Sequence, residues 1–309
     1  MNQEHVNTVR LLLAAAPAIF ESSRFAMKGG TALNLFVQDL PRLSVDIDVA
    51  FTDYTLDRVS ALKAISDDLS AAKLRVEKLG YSATVARQAT GEEWKMFVEA
   101  GSASVKVEVN VVFRGTVFPI ERRSLVKSAQ DTFTTSISVP SLQAPELYGS
   151  KLVAAMDRQH PRDFFDVQTM LAQFGLDTTF VDCFVAYLAG HGRPVHEVLF
   201  PTTRRIEQPY RNQFVGLTRD EVTLESLLRT QTEIQSKLPA ALTQAHRDFL
   251  LSLVKLEPAW ELMPFEHLRD LPALRWKLQN LTRLKANNRA QFHGQFAALS
   301  ERFEELRRA

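Results

Sequence analysis

Cysteine is nearly absent from the sequence, since Cys183 is the only one among 309 residues. A single thiol excludes an intramolecular disulfide and a cysteine-rich zinc site. A long hydrophobic run is also lacking, because the apolar stretch at 11–20 is shorter than the roughly 20 residues that a membrane-spanning helix needs. Residues 1–10 carry one Glu and one Arg and show neither the basic segment nor the cleavage site of a signal peptide. We therefore expect a cytoplasmic protein without a membrane partner.

Net charge is almost absent as well, because 37 Lys and Arg against 36 Asp and Glu leave +1. Such a balance disfavours a nucleic-acid partner, whose phosphates are bound by clustered basic side chains. The charges are unevenly distributed, however. Residues 39–68 contain seven acids and three basic residues, whereas 271–300 contain five basic residues and no acid. A neutral sum therefore does not exclude RNA.

Hydrophobic periodicity changes near residue 140. The earlier part combines helical spacing at 1–24, 32–38 and 55–79 with strand patterns at 42–49, 81–86, 95–99 and 104–113. The later part shows 3.6-residue spacing that is interrupted by prolines. With 45% hydrophobic residues the chain can form a globular core. We predict an α+β fold with one domain over 1–140 and a mostly helical domain over 141–309.

Residues 42–49 alternate between polar and apolar side chains, which predicts a half-buried strand. Because strand side chains alternate in direction, Arg42, Ser44, Asp46 and Asp48 share one face. Two such close carboxylates repel each other unless a cation lies between them, and oxygen-only ligands favour Mg²⁺. Glu108, on the polar face of a later strand, is a candidate third ligand if the two strands are neighbours. The alternative is a solvated strand face without a metal.

Gly29, Gly30 and Thr31 precede a predicted helix. Glycines let a phosphate approach the backbone closely, and a helix N-terminus favours anions. Thr31 could cap the helix or donate its hydroxyl to a phosphate. An ordinary turn is the alternative explanation of the glycine pair. A phosphate cradle, an Asp-x-Asp strand and a third acid, in this order, indicate nucleotidyl transfer.

Two separated motifs resemble one family. Lys28-Gly29-Gly30-Thr31-Ala32-Leu33, followed by Arg42-x-Ser44-x-Asp46-x-Asp48, is similar to the AbiEii/AbiGii-type (MenT-like) nucleotidyltransferase toxins of the DNA polymerase β-like superfamily. A later segment, from Lys151 through Arg162-Asp163 to Asp166, is similar to the lysine and R-D-x-x-D motifs of that family. The resemblance implies a nucleotidyltransferase-like mixed β-sheet flanked by helices, followed by helices.

The resemblance also implies roles for individual residues. Asp46 and Asp48 would bind Mg²⁺, with Glu108 as a candidate third ligand, and Gly29, Gly30 and Thr31 would lie by the triphosphate of an NTP. Lys151 would contact nucleotide phosphate, and Ser44 and Asp166 would be catalytic, with Arg42, Arg162 and Asp163 in support. The implied reaction is transfer of a nucleotide to the 3′ end of tRNA, which blocks translation, and the implied partner is a cognate antitoxin.

The residues of the later motif permit the same interpretation. Lysine is a compact charge suited to phosphate. Pro161 fits the first turn of a helix, where Asp163 would favour the positive end, and Asp166 would share the helix face of Asp163. Helix capping by Asp163 and a salt bridge by Arg162 are the structural alternatives.

The basic stretch at 271–300 predicts an RNA-binding surface. It combines cationic and aromatic side chains, which suits phosphates and stacked bases; the basic ones are Arg275, Lys277, Arg283, Lys285 and Arg289. The alternative is a helix with a solvated basic face and a leucine core stripe. Two other functions stay open: nucleotidyl transfer to a small molecule or a protein hydroxyl, and a catalytically inactive module that binds NTP or RNA.

Overall fold

The computed structural model describes residues 2–87 and 93–308. The chain forms two compact units. The first contains the residues up to Leu147 together with Phe214–Glu221, and the second contains Tyr148–Gln213 and the residues from Val222 onward. A short segment of the later sequence thus belongs to the first unit. No local pattern in the sequence signals this, because the segment is recruited by backbone pairing with distant residues.

A mixed β-sheet forms the first unit, with seven strands among the described residues. The strands are β1 (Phe25–Lys28), β2 (Asp46–Phe51), β3 (Ser82–Arg87), β4 (Glu93–Ala100), β5 (Ala103–Asn110), β6 (Glu121–Ser124) and β7 (Ser138–Ser141). Their order is β3-β4-β5-β2-β1-β7-β6. β2 pairs antiparallel with β1 and parallel with β5. The α+β prediction is confirmed, although β1, β6 and β7 were not predicted, because four residues are too few to show alternation.

The helices of the first unit are α1 (Gln3–Ile19), α2 (Gly29–Ala32, continued by a π-helical turn over Leu33–Val37), α3 (Arg58–Lys78) and α4 (Lys127–Phe133). α1 is shorter than the predicted helix at 1–24. The chain turns before β1, where the Ser22 hydroxyl accepts a hydrogen bond from the Arg24 backbone N–H at 3.3 Å. Serine oxygens commonly stabilise such turns, which the apolar spacing alone does not show.

The strand predicted at 42–49 begins only at Asp46. Arg42 instead forms an isolated bridge with Thr218. The Leu43 N–H donates to the Leu217 carbonyl at 2.9 Å. The prediction that Arg42 and Ser44 belong to the same strand as the aspartates is therefore wrong. They precede β2, in a segment whose backbone pairs at Arg42 and Leu43 with Thr218 and Leu217.

The strand predicted at 104–113 also ends early, at Asn110. The Asn110 side chain accepts hydrogen bonds from the N–H groups of Val112 and Phe113, at 2.9 and 3.0 Å. An asparagine that binds the backbone ahead of it produces a turn, so the alternation of apolar residues continues beyond the strand itself.

One face of the sheet forms the core of the first unit. Its side chains on β2 and β5 are fully buried; they are Ile47, Val49, Val105, Val107 and Val109. Each such burial contributes about 1.5–3 kcal/mol. The other face carries the predicted acids Asp46, Asp48 and Glu108, which are partly exposed. Strand alternation thus turns these carboxylates away from the core.

Helices form the second unit: α5 (Ala144–Asp157, whose first turn belongs to the first unit), α6 (Pro161–Phe174), α7 (Thr178–Ala189), α8 (Val195–Leu199), α9 (Glu207–Gln213), α10 (Leu224–Ala241), α11 (Gln244–Val254), α12 (Pro272–Asn287) and α13 (Arg289–Arg308). Side-chain caps begin several of them: Asp177 accepts from the Thr179 N–H at 2.8 Å, and Thr243 from the His246 N–H at 3.2 Å. Within the described residues, every helix is too short or too polar to span a lipid bilayer.

Candidate active site

Gly29 and Gly30 begin α2 directly after β1, and the side chains packed against them leave no room for a Cβ atom. Gly29 has φ +72°, and a Cβ atom there would lie 2.0 Å from Oδ2 of Asp48. A Cβ atom on Gly30 would lie 2.8 Å from a guanidinium nitrogen of Arg42 and 3.1 Å from the Ser44 hydroxyl. Only glycine therefore lets the backbone come so close to these three side chains. The predicted glycine motif and the predicted Asp-x-Asp motif are in direct contact.

Thr31 connects these two motifs from the buried side. Its hydroxyl donates to the backbone carbonyl of Asp46 and lies 3.0 Å from the Ser44 hydroxyl. Thr31 is fully buried and Ser44 is nearly so. Arg42 is also buried, and its guanidinium donates to the Leu43 carbonyl at 2.9 Å. These polar side chains hold the segment that leads into β2, which fixes the position of Asp46.

A row of four charged residues crosses the exposed face of the sheet. Asp48 on β2 is opposite Lys28 on β1 and Glu108 on β5, and Glu108 is opposite Lys95 on β4. We call this set, Lys28, Asp48, Glu108 and Lys95, the charged row. The strand of Glu108 is therefore a neighbour of the strand of Asp46 and Asp48, which was the condition for Glu108 as a third ligand. Side chains opposite each other on neighbouring strands are close enough to interact.

Lysines surround Glu108 in this row. Lys95 Nζ lies 2.8 Å from Oε1 of Glu108, and Lys106 Nζ lies 3.1 Å from Oε2. Lys106 also lies 4.0 Å from Oδ1 of Asp46. Partial burial raises the pKa of Glu108, but the two lysines outweigh this and hold the pKa below its ordinary value. Neither Lys95 nor Lys106 is among the predicted site residues, although Lys106 stands on the same polar face as Glu108.

The arrangement fits a divalent cation at two aspartates rather than three acids. Among the described residues, no three His, Cys, Asp or Glu side chains converge as metal ligands do. Asp46 and Asp48 offer carboxylate oxygens on one strand face, and the absent side chain of Gly29 gives the Asp48 carboxylate the space that it occupies against the backbone. Oxygen donors of this kind suit Mg²⁺, which often takes one or two carboxylates together with substrate phosphates.

The second motif forms a charged cluster in the second unit, in which Lys151, Asp163 and Asp166 are buried and Arg158 is exposed. Lys151 Nζ lies 2.9 Å from an oxygen of Asp163 and 2.9 Å from an oxygen of Asp166. Arg158 adds a bond to Asp163 at 2.8 Å. We call Lys151, Arg158, Asp163 and Asp166 the lysine cluster. Burial raises the pKa of Asp163, but the charges of Lys151 and Arg158 outweigh it and hold the pKa far below its usual range.

The start of α6 explains how this cluster forms. His160 caps the helix, and its Nδ1 accepts from the Arg162 N–H at 3.2 Å. Asp163 is thereby free of the capping role that was its structural alternative, and it binds Lys151 instead. Asp166 lies one turn further along the same helix face, as predicted. Arg158 lies between the two parts of this motif, and only the fold shows its bond to Asp163.

The basic stretch at 271–300 occupies α12 and the start of α13. Four of its five cations are exposed: Arg275, Arg283, Lys285 and Arg289. Arg283 lies over the Trp276 ring at 5.6 Å and Lys285 over the Phe292 ring at 5.4 Å, while Arg275 pairs with Asp270. Leu274 and Leu281 on the same helix are buried, so the leucine stripe and the basic face coexist.

Lys277 does not belong to this surface. It is 4% exposed, and its ammonium donates to the carbonyls of His191 and Arg193 at 2.9 and 2.6 Å. Burial lowers the pKa of Lys277 to about 8. The prediction that Lys277 is one of the RNA-binding cations is corrected, because the helical period places it beside the leucine stripe.

Comparisons with known proteins agree with this architecture. The family model described as nucleotidyl transferase AbiEii toxin, type IV toxin–antitoxin system, matches residues 10–280. The chain belongs to the AbiEii nucleotidyltransferase toxin family. It is therefore a transferase of nucleotidyl groups and a toxin of the type IV class, with an NTP substrate and an antitoxin partner.

A solved structure shows the same fold. It is the nucleotidyltransferase toxin MenT4 from Mycobacterium tuberculosis, which is 16% identical, with a TM-score of 0.59 over 90% of this chain and 94% of that chain. Among curated proteins, no sequence matches the chain. The resemblance inferred from the two motifs is confirmed by the family match.

Proposed function

We propose that the chain transfers a nucleoside monophosphate from an NTP to the 3′ end of tRNA, in a reaction that requires Mg²⁺, and so blocks translation. The observation that carries this proposal is the contact of Gly29 with Asp48 beside Asp46. This contact brings a backbone segment without side chains next to two partly exposed carboxylates. Such an arrangement suits a nucleotide together with its cation.

In this reaction the acceptor hydroxyl loses its proton to solvent and its oxygen bonds to the α-phosphorus of the NTP. The bond from the α-phosphorus to the oxygen that bridges it to the β-phosphate breaks, and pyrophosphate leaves. Mg²⁺ held by Asp46 and Asp48 would supply positive charge against the phosphates. The chain itself positions the reactants. Gly29 and Gly30 admit the phosphates to the backbone, and Thr31 holds Asp46 and Ser44 in place.

Lys151 is assigned to nucleotide phosphate. Its ammonium group has three donors, and two of them face Asp163 and Asp166. The third has no partner among the described residues. The two carboxylates hold the ammonium group in one orientation, which suits a point charge that must meet a phosphate oxygen.

An RNA acceptor is supported by the exposed basic side chains of α12 and α13. Arg283 and Lys285 each present a charge beside an aromatic ring. Such pairs can bind backbone phosphate and stack on a base at the same time. The stretch 271–300 contains no acid, although Asp270, directly before it, pairs with Arg275.

The test is incubation of the purified protein with each α-labelled NTP, Mg²⁺ and total tRNA. We expect label on tRNA with at least one NTP and none after chelation by EDTA. Asp46→Asn and Asp48→Asn should each lower transfer by about 100-fold or more, the size of effect seen when one charge-stabilising group is removed. Asp131→Asn is the matched control, because Asp131 is an exposed carboxylate paired with Lys127 on α4.

Three outcomes would contradict the proposal. Label that appears on a protein or a small molecule but not on RNA would redirect the acceptor. Transfer that continues in the presence of EDTA would show that the reaction does not require a metal ion. Equal activity of Asp48→Asn and Asp131→Asn would show that the Asp-x-Asp motif has no role in the reaction.

A further inference from the structure

Two acids in the charged row have opposite surroundings. Asp48 and Glu108 are directly opposite each other on β2 and β5. Glu108 binds Lys95 through one oxygen and Lys106 through the other. Asp48 has no ion-pair or hydrogen-bond partner among the described residues, and it faces Gly29. One carboxylate is therefore saturated by cations, and its neighbour is available to a ligand.

The lysines around Glu108 are held by the fold. Lys95 is opposite Glu108 in the strand register, and Lys106 precedes Glu108 by two residues on the same strand face. The three side chains are between 20% and 34% exposed. Both ion pairs are thus partly shielded from water, which strengthens them relative to surface pairs.

Lys106 also stands beside the first aspartate. Its ammonium nitrogen is 4.0 Å from Asp46 and 3.1 Å from Glu108. A cation at this point offsets the repulsion between the carboxylates of β2 and β5. It occupies the place that a metal bridging Asp46 and Glu108 would need.

We propose that Lys95 and Lys106 keep Glu108 out of metal coordination, so that Asp46 and Asp48 alone bind the divalent cation. This inference rests on the proposed metal-dependent transfer. Lys106 is then a positioning residue that acts through Glu108, and it supplies a permanent positive charge where a third carboxylate ligand would otherwise recruit a second metal ion.

The test is Mn²⁺ binding to the full chain without nucleotide, measured by electron paramagnetic resonance and calorimetry. Glu108→Gln should bind Mn²⁺ as the unmodified protein does, whereas Asp48→Asn should bind it far more weakly. Lys106→Met releases Oε2 of Glu108, while Lys95 still holds Oε1, and it should tighten binding by about tenfold, because cation affinity follows the number of charged ligands. Lys106→Arg should restore the original affinity.

The double variant Lys106→Met with Glu108→Gln isolates the cause. If Glu108 is the released ligand, the double variant loses the gain and returns to the original affinity. A gain that persists would show that only the charge of Lys106 near Asp46 matters, and it would overturn the proposal. Weakened Mn²⁺ binding by Glu108→Gln alone would overturn it as well, since Glu108 would then already be a ligand.

Transfer activity is read separately, so the two proposals fail differently. If Mn²⁺ binding behaves as described but no NTP labels tRNA, the proposed acceptor is wrong and the role of the lysines stands. If tRNA is labelled but Glu108→Gln weakens Mn²⁺ binding, the proposed acceptor is supported and the proposed role of the lysines is wrong. Thermal unfolding of each variant shows that the comparison is made between folded proteins.

Discussion

Both units bring lysine together with carboxylates, but they bury them differently. In the first unit, Lys106 and its partners Asp46 and Glu108 are roughly a quarter to a third exposed. In the second unit, Lys151 and its partners Asp163 and Asp166 are at most 7% exposed. The first group is only partly shielded from water, so its ion pairs contribute less to stability than those of the second group. The second group is shielded from water, so removing one partner would leave an uncompensated buried charge and lower the stability of the fold.

The largest difference between the two groups should appear in stability. Asp166→Ala removes one of two carboxylates from a buried lysine, and breaking such a pair costs about 3 kcal/mol. Asp48→Asn removes a partly exposed carboxylate that has no ion-pair partner within residues 2–87 and 93–308, and it should change the free energy of unfolding by less than about 0.5 kcal/mol. Urea denaturation of both variants gives the two values. Equal losses would show that burial does not separate the groups.

The next effect concerns the close contact of Gly29 with Asp48. Gly29→Ala combines a strained backbone at φ +72° with a Cβ atom 2.0 Å from a carboxylate oxygen. We expect a loss of about 1–3 kcal/mol in stability and a larger loss of nucleotide transfer, because Asp48 must move.

Gly80→Ala is the matched control for that variant. Gly80 has φ +88° but nothing within 4 Å of its added Cβ atom, so it reports the backbone strain alone. If Gly80→Ala lowers transfer as much as Gly29→Ala does, the contact with Asp48 has no special role.

The smallest effect is the response of stability to acid. Folding lowers the pKa of Asp163, so the ionised carboxylate contributes stability above its unfolded pKa and loses that contribution as the pH falls through the folded value. Between about pH 4 and pH 2, the unmodified protein should therefore lose stability more steeply than Asp163→Asn.

Glu108→Gln sharpens this measurement. The pKa of Glu108 is also lowered, and by the same kind of partner, but its carboxylate is partly exposed and screened. Its acid response should lie closer to that of the unmodified protein. Chemical denaturation at several pH values checks the order, and a reversed order would contradict the assignment of the stabilising pair to the buried cluster.

Local patterns were sufficient to predict much of the candidate site. The period of two placed Asp46 and Asp48 on one face of a strand, and a spacing of three placed Asp163 and Asp166 on one face of a helix. These patterns depend only on the geometry of neighbouring residues. They could not show that Arg42 and Ser44 leave β2, because the backbone of that segment pairs with residues more than 170 positions later.

The sequence by itself determined the family, through the order of its glycine, aspartate and lysine motifs, and it determined which acids share a face. Only the tertiary structure decided what those acids contact. Strand pairing brought Glu108 opposite Asp48 and gave it two lysines, and helix packing buried Lys277 beneath the basic face. The reason is physical: direction along a strand or helix follows from its own period, whereas pairing and burial depend on residues that are distant in the chain.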